Sequence, residues 1–374
     1  MANQKERFNA VQALRFICFF FVFGVHAGIP YVGTGAWTLS VFFMLSGFMM
    51  VYSYADRDLK CTFKDNFKFM TKRVGKLYPL HIAMAIVMVG ELLLFQNAPI
   101  DVAHYALYFL VIIPVNLLLL QAWVPLLNGF VFSLNGPSWY LSASMFSFFI
   151  FPWEMKLIKK IDSIKKLLII SGVLMLIGYV TTYIAGVNLN FEGDLFIWLT
   201  QHFPIMRAIE FFIGAVAGYV YVKNSDKIKA AASKLSCGVW TVIEILVIAL
   251  VVLSDIYAIW ANNCTWGKAL VFCRTVVPVI TSVIVIYVFV LNRGMVTKFL
   301  DNKVLRYLGD ISMYLYMFHY IFCINKSLVG ECGWVIEGWF KAVMITAELG
   351  LTILCSALYN KYAKSKKSKS IKAA

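Results

Sequence analysis

Long apolar segments alternate with short polar connections along the whole 374-residue chain. Ten of them are about 20 residues long, which is the length that a helix needs to cross a bilayer. They fall near residues 8–28, 36–54, 76–96, 138–157, 167–187, 204–222, 238–259, 268–291, 305–325 and 335–359. This pattern predicts an all-α fold, a polytopic helical membrane bundle with about ten transmembrane helices.

The distribution of lysine and arginine predicts how the bundle is oriented. Alternate connections carry 28 of the 34 basic residues, whereas the opposite set of connections carries only Lys326. By the positive-inside rule, both termini are cytoplasmic. A further apolar stretch at 101–121 would invert this bias if it crossed fully. Pro114 interrupts it, so we expect it to lie at the interface, to re-enter or to pack against the bundle.

Composition supports the same class of protein. Hydrophobic residues make up 61% of the chain and charged residues 14%, far from the balance of a soluble domain. The net charge of +15 comes from basic residues between apolar runs, so topology explains it better than nucleic-acid binding. The eight cysteines show no metal-type spacing, so we expect no metal site. Whether Cys264 and Cys332, both in short outer loops, form a disulfide is left open.

The first apolar segment contains one arginine and one histidine, Arg15 and His26. Eleven residues at about 100° each make three turns plus roughly 20°, so both side chains lie on one helix face. Ionisable side chains inside a span are costly and usually mark a site or a pathway. The histidine is suited to act as a general base near neutral pH. Taken alone, it has an equally plausible alternative role as a hydrogen-bonded packing residue.

A basic segment precedes the third apolar run, FKDNFKFMTKRVGKLYPLH. A cluster of basic residues at helical spacing lies beside Tyr78 and consists of Lys72, Arg73 and Lys76. Such a cluster can bind phosphate groups. For any single lysine, contact with lipid headgroups is the simpler interpretation.

Three later segments supply candidate substrate-binding residues. Trp139 and Tyr140 serve either as interface anchors or as the lining of a binding site. Arg207 and Glu210 stand three residues apart, which fits a buried ion pair or a ligand contact. The complete candidate set is Trp139, Tyr140, Ser142, Arg207, Glu210, Ser312, Tyr316 and His319.

Several motifs together resemble the acyltransferase 3 family of integral-membrane acyltransferases. The resemblance rests on the arginine–histidine spacing in LRFICFFFVFGVHA, on WTLSVFFMLSGFMM, and on the basic KRVGKLYP element. It also includes PSWYLS, EFFIG and the late LGDISMYLYMFH. The matching motifs extend over most of the chain. They imply one transmembrane domain at 1–360, and we expect the basic tail at 361–374 to be disordered.

The resemblance implies a multi-pass O-acetyltransferase-like enzyme of a bacterial inner membrane. It would move an acyl group, most simply acetyl, from cytoplasmic acetyl-CoA or another acyl-CoA to a hydroxyl of a sugar-containing or lipid-linked glycan. His26 is implied as the catalytic histidine with Arg15 beside it, and Arg73, Lys76, Lys72 and Tyr78 as the donor-binding residues. A transporter or flippase for an acylated or phosphorylated lipid or glycan is the alternative, because intramembrane ionisable residues suit it too. We expect contact with membrane lipids and none with nucleic acid.

Overall fold

The computed structural model describes residues 6–29, 36–95, 107–125, 134–189, 193–263, 271–272, 274–324 and 337–373. These residues form helices and connecting turns, with no β-strand among them. Cys264 and Cys332 lie outside the described residues, so the possible disulfide stays untested.

The described residues form fifteen α-helices. They are α1 (Asn9–His26), α2 (Ala36–Tyr54), α3 (Phe63–Val74), α4 (Tyr78–Phe95), α5 (Ile113–Leu117), α6 (Ser138–Ile161), α7 (Ile164–Tyr183), α8 (Gly193–Ile197), α9 (Pro204–Ser233), α10 (Cys237–Asn263), α11 (Val277–Leu291), α12 (Met295–Leu300), α13 (Lys303–Asp310), α14 (Ser312–Ile324) and α15 (Gly338–Ala373). Short π-helical turns at Tyr108–Ile112, Ile184–Asn188 and Trp198–His202 adjoin α5, α7 and α9.

The predicted membrane character is confirmed, whereas the number of spans is not. Six helices within the described residues are long and apolar enough to cross a bilayer, or seven if the bent pair α3–α4 counts as one span. Every one of the ten predicted segments coincides with a helix, but α11 has 15 residues and α14 only 13. At 1.5 Å per residue, such helices are shorter than the roughly 30 Å hydrocarbon core. The orientation of the termini stays a prediction.

The uncertain stretch at 101–121 forms no long helix where the structure describes it. Tyr108–Leu117 is an apolar helix of ten residues, about 15 Å long and so half of the hydrocarbon thickness. Its short length supports the expectation that it does not cross alone.

At the other end of the chain, the tail that we expected to be disordered continues α15 to Ala373. That tail, KYAKSKKSKSIKAA, has no proline or glycine, so nothing in its composition breaks the helix.

Backbone contact between α2 and α9 forms the centre of the bundle. A Cβ atom on Gly214 would overlap the carbonyl oxygen of Met44, and one on Gly47 would overlap that of Phe211. Small residues allow two helices to approach this closely, which is how membrane helices gain packing energy without a hydrophobic driving force.

The helices on either side of this centre are held by long-range polar contacts. The Glu244 carboxylate of α10 accepts hydrogen bonds from the backbone N–H groups of Gly294 and Val296, both at 2.9 Å, and from the Thr297 hydroxyl at 2.5 Å. A carboxylate here satisfies the free N–H groups at the start of α12 and complements its dipole. α1 meanwhile packs against α13 and α14, which places Arg15 and His26 against the last third of the chain.

Candidate active site

Arg15 lies in the first half of α1, and His26 is the last residue of the same helix. Eleven residues at a 1.5 Å rise separate their Cα atoms by about 16 Å along the axis. Arg15 lines a cavity, and His26 contacts α14 instead. One helix therefore contributes to two separate polar environments.

Arg15 lines a cavity of about 320 Å³, which we call the basic cavity. Arg73 from α3 and Lys76 from the turn before α4 line it too, so three cations from two parts of the chain meet there. Asp310 also lines it, but its carboxylate is held by Arg7, whose Nη2 lies 2.8 and 2.6 Å from the two oxygens. The remaining polar lining consists of Ser46, Tyr140, Ser144, Ser312 and Tyr314. The charge around the cavity favours an anion.

Arg73 is held in place by aromatic neighbours. Its Nη2 donates to the Tyr54 hydroxyl at 2.6 Å, and its guanidinium carbon lies 5.1 and 5.4 Å from the ring centroids of Tyr54 and Phe69. A guanidinium has five N–H donors, so this contact leaves others for a ligand. Arg15 makes no ion pair within the described residues; Tyr140 and Asp310 are its electrostatic neighbours.

Three rings lie between the basic cavity and the far end of α1. Phe42 and Tyr140 line the cavity, and both contact Tyr316 of α14. The ring centroids are 6.1 Å apart for Phe42–Tyr140, 6.2 Å for Phe42–Tyr316 and 5.5 Å for Tyr140–Tyr316. We call these three residues the aromatic layer. Two of its rings line the cavity, and the third, Tyr316, contacts His319.

Beyond the aromatic layer, His26 and His319 form a hydrogen-bonded pair. The Nδ1 atom of His26 lies 2.9 Å from Nε2 of His319, and Nδ1 of His319 lies 2.8 Å from the carbonyl oxygen of Tyr316. His319 is fully buried, whereas His26 is exposed at the end of its helix. The ring of Tyr316 lies 5.7 Å from that of His319, so the aromatic layer and the histidine pair are in contact.

The structure brings together some predicted site residues and separates others. Arg15, Arg73, Lys76, Tyr140 and Ser312 share the basic cavity. Lys72 is exposed outside it, and so is Tyr78, whose hydroxyl donates to the Leu117 carbonyl at 2.9 Å.

Trp139 and Ser142 are buried away from both polar environments. The Trp139 ring meets His202 edge-on at 4.5 Å. The Ser142 hydroxyl donates to the Leu119 carbonyl at 2.6 Å, which ties α6 to the turn before Gln121–Trp123. Trp198 donates to Ala122 in the same turn. All these contacts serve to position the helices.

Arg207 and Glu210 form the buried ion pair that was one of their two predicted roles. Their Nη1 and Oε2 atoms are 2.8 Å apart, and both side chains are about 5% exposed. Ser40 donates to the other carboxylate oxygen at 2.9 Å, and Arg207 donates to the Thr200 carbonyl at 2.6 Å. Through these contacts the pair connects α9 with α2 and with the π turn before α9.

Phe42, Asp310 and Tyr54 are among the residues of this site that sequence reasoning missed. Phe42 lies in the FFMLSGF motif and Asp310 in LGDIS, so a motif marked each, but their spacing gave no sign of a cavity. Tyr54, which holds Arg73, had no sequence signal. In the part of the chain that the structure describes, no group of three or more His, Cys, Asp or Glu residues is placed to bind a metal.

Comparison with known proteins assigns this architecture. The acyltransferase domain of the acyltransferase 3 family matches residues 8–358. The chain belongs to this family. It therefore carries an acyltransferase domain of the class that transfers groups other than aminoacyl groups, and the resemblance seen in its motifs is confirmed.

One curated relative is the acyltransferase MdmB of Streptomyces mycarofaciens, which is 27% identical over 194 residues. The aligned part is 50% of this chain and 46% of that relative, so the chain spans about half the length of the protein it matches. No solved structure matches the chain.

Proposed function

We propose that this chain is a multi-pass acyltransferase of the cell inner membrane that moves an acyl group, most simply acetyl, from cytoplasmic acyl-CoA to a hydroxyl of a sugar-containing or lipid-linked glycan. The observation that supports it is the division of α1 between the basic cavity and the histidine pair. Such a division suits a donor and an acceptor that approach the same helix from different ends.

The basic cavity suits the donor. Coenzyme A carries several phosphate charges on a long flexible arm, and the three cations of the cavity provide charge-assisted hydrogen bonds for such groups. In this proposal Arg73 and Lys76 bind the phosphates, and Arg15, deeper on α1, binds oxygen atoms of the arm. Because Arg15 and His26 are about 16 Å apart, the arginine holds the donor and does not contact the reacting carbon.

The histidine pair suits the chemistry. His26 takes the proton of the acceptor hydroxyl while its oxygen attacks the thioester carbonyl carbon. The carbon–sulfur bond breaks, and the CoA thiolate leaves and takes the proton back from His26. A two-step route through an acyl-histidine is also consistent with this geometry. On either route, the aromatic layer must open for the thioester to reach His26.

Purified protein in lipid nanodiscs, incubated with radiolabelled acetyl-CoA and a lipid and glycan extract of the source cells, tests the proposal. We expect label in the extract with the wild type and none with His26→Ala. His81→Gln is the matched control, because His81 is a buried histidine that donates to the Asn116 carbonyl outside the basic cavity and the histidine pair. Transfer by His26→Ala would overturn the proposal. Label that binds without ever being transferred would favour the transporter or flippase.

A further inference from the structure

We propose that His319 is a positioning residue, which holds His26 in the one neutral tautomer whose Nε2 atom is free to accept a proton. This inference rests on the proposed function for its role in catalysis. Its structural content, the tautomer of His26, is independent of any activity. Sequence reasoning had placed His319 among the substrate-binding residues, and the geometry assigns it a different task.

The argument starts at the carbonyl oxygen of Tyr316. A carbonyl oxygen only accepts hydrogen bonds, so the Nδ1 atom of His319, 2.8 Å away, carries a proton. A neutral imidazole has one N–H, so Nε2 of His319 presents a lone pair. That lone pair faces Nδ1 of His26 at 2.9 Å, so Nδ1 of His26 is the donor of this bond.

The same proton count identifies which nitrogen of His26 is the basic atom. If the single proton of neutral His26 is on Nδ1, its Nε2 carries the lone pair and is the basic atom. The reverse assignment would put a proton on Nε2 of His26, which then has no capacity to take one from a hydroxyl. The orientation of one ring by a hydrogen bond to its other nitrogen is what makes a histidine a directed base.

The surroundings of His319 keep it neutral and fixed. Its side chain is fully buried, and the rings of Phe19 and Tyr316 lie 5.7 Å from its own. A cationic imidazole would be costly among these rings. Its Nδ1 partner is a backbone carbonyl one turn earlier on α14, which cannot rotate away. His319 therefore provides a rigid acceptor for His26.

During transfer, only the Nε2 atom of His26 gains and loses a proton. Nε2 of His26 takes the hydroxyl proton as the new carbon–oxygen bond forms, and it returns that proton to the thiolate sulfur when the carbon–sulfur bond breaks. Nδ1 of His26 keeps its proton and its bond to His319 throughout. His319 never exchanges a proton with the substrates.

Three substitutions of His319 separate positioning from simple packing. In His319→Gln the side-chain oxygen reaches the place of Nε2 and still accepts from His26, so we expect kcat within about tenfold of the wild type. His319→Asn reaches only the place of Nδ1, and His319→Phe fills the space without an acceptor. Both should lower kcat by about 100-fold or more, with the KM for acetyl-CoA unchanged. Equal losses in all three variants would overturn the proposal.

The tautomer itself is measured by ¹⁵N NMR of histidine-labelled protein in nanodiscs. The chain has only five histidines, and the His26 signals are those that His26→Gln removes. We expect a protonated Nδ1 in the wild type and in His319→Gln, and a large share of protonated Nε2 in His319→Phe. His81→Gln is the control and leaves the His26 signals unchanged. A protonated Nε2 in the wild type refutes the inference, whereas the expected tautomers without acyl transfer refute only the proposed function.

Discussion

Arg73 provides the sharpest test of the donor site, because its replacement by alanine removes one cation from the basic cavity. A hydrogen bond between charged groups contributes about 1.5–3 kcal/mol. Each 1.4 kcal/mol is tenfold in affinity, so we expect the KM for acetyl-CoA to rise about 10- to 140-fold. The value of kcat should equal that of the wild type. The lost contact is remote from the reacting atoms, so it stabilises the ground state and the transition state equally.

The assay is the initial rate in nanodiscs as a function of acetyl-CoA concentration, with two controls. Lys64→Ala removes a cation from the same helix, α3, at an exposed position outside the basic cavity, so its KM should match that of the wild type. Tyr54→Phe removes only the hydrogen bond that orients Arg73 and should raise KM by less than Arg73→Ala does. If Arg73→Ala and Lys64→Ala gave the same KM, the basic cavity would not be the donor site.

Two further predictions concern stability, measured by thermal unfolding in nanodiscs. Glu210→Ala should lower the free energy of unfolding by about 3–5 kcal/mol, because it leaves the buried Arg207 charge without its partner. The double variant Arg207→Met/Glu210→Met should recover most of that loss. If it recovers none, the pair has another role. Gly214→Ala should lower the free energy of unfolding by about 1–3 kcal/mol, because its Cβ overlaps the Met44 carbonyl. The control is Gly172→Ala, which should not destabilise the protein because no neighbouring atom lies within 4 Å of the added Cβ. Equal unfolding temperatures for the two glycine variants would contradict the close packing of α2 and α9.

The local features of this chain were predictable from sequence because they depend on helical periodicity. The apolar runs predicted the helices, and the spacing of Arg15 and His26 predicted two polar groups on α1. The nearness of Arg73 and Lys76 on the chain predicted that they act together, and the structure places both in the basic cavity.

What was not predictable depends on contacts between distant helices. His26 and His319 are 293 positions apart, and nothing in either segment specifies that their nitrogens meet. The choice between an ion pair and a ligand site for Arg207 and Glu210 depended on Ser40, which only the packing of α2 on α9 brings within reach. The count of about ten spans stays a prediction, because apolarity alone does not give helix length: the described part of α11 has 15 residues and that of α14 has 13.

The aromatic layer also bears on membrane energetics. The basic cavity at one end of α1 and two imidazoles at the other would, if water joined them, give protons a route across the bilayer. Within the described residues, the rings of Phe42, Tyr140 and Tyr316 lie in mutual contact between the two regions. We expect these rings to limit proton leak through the bundle, so that acid–base chemistry can take place without discharging the electrochemical gradient of the host membrane.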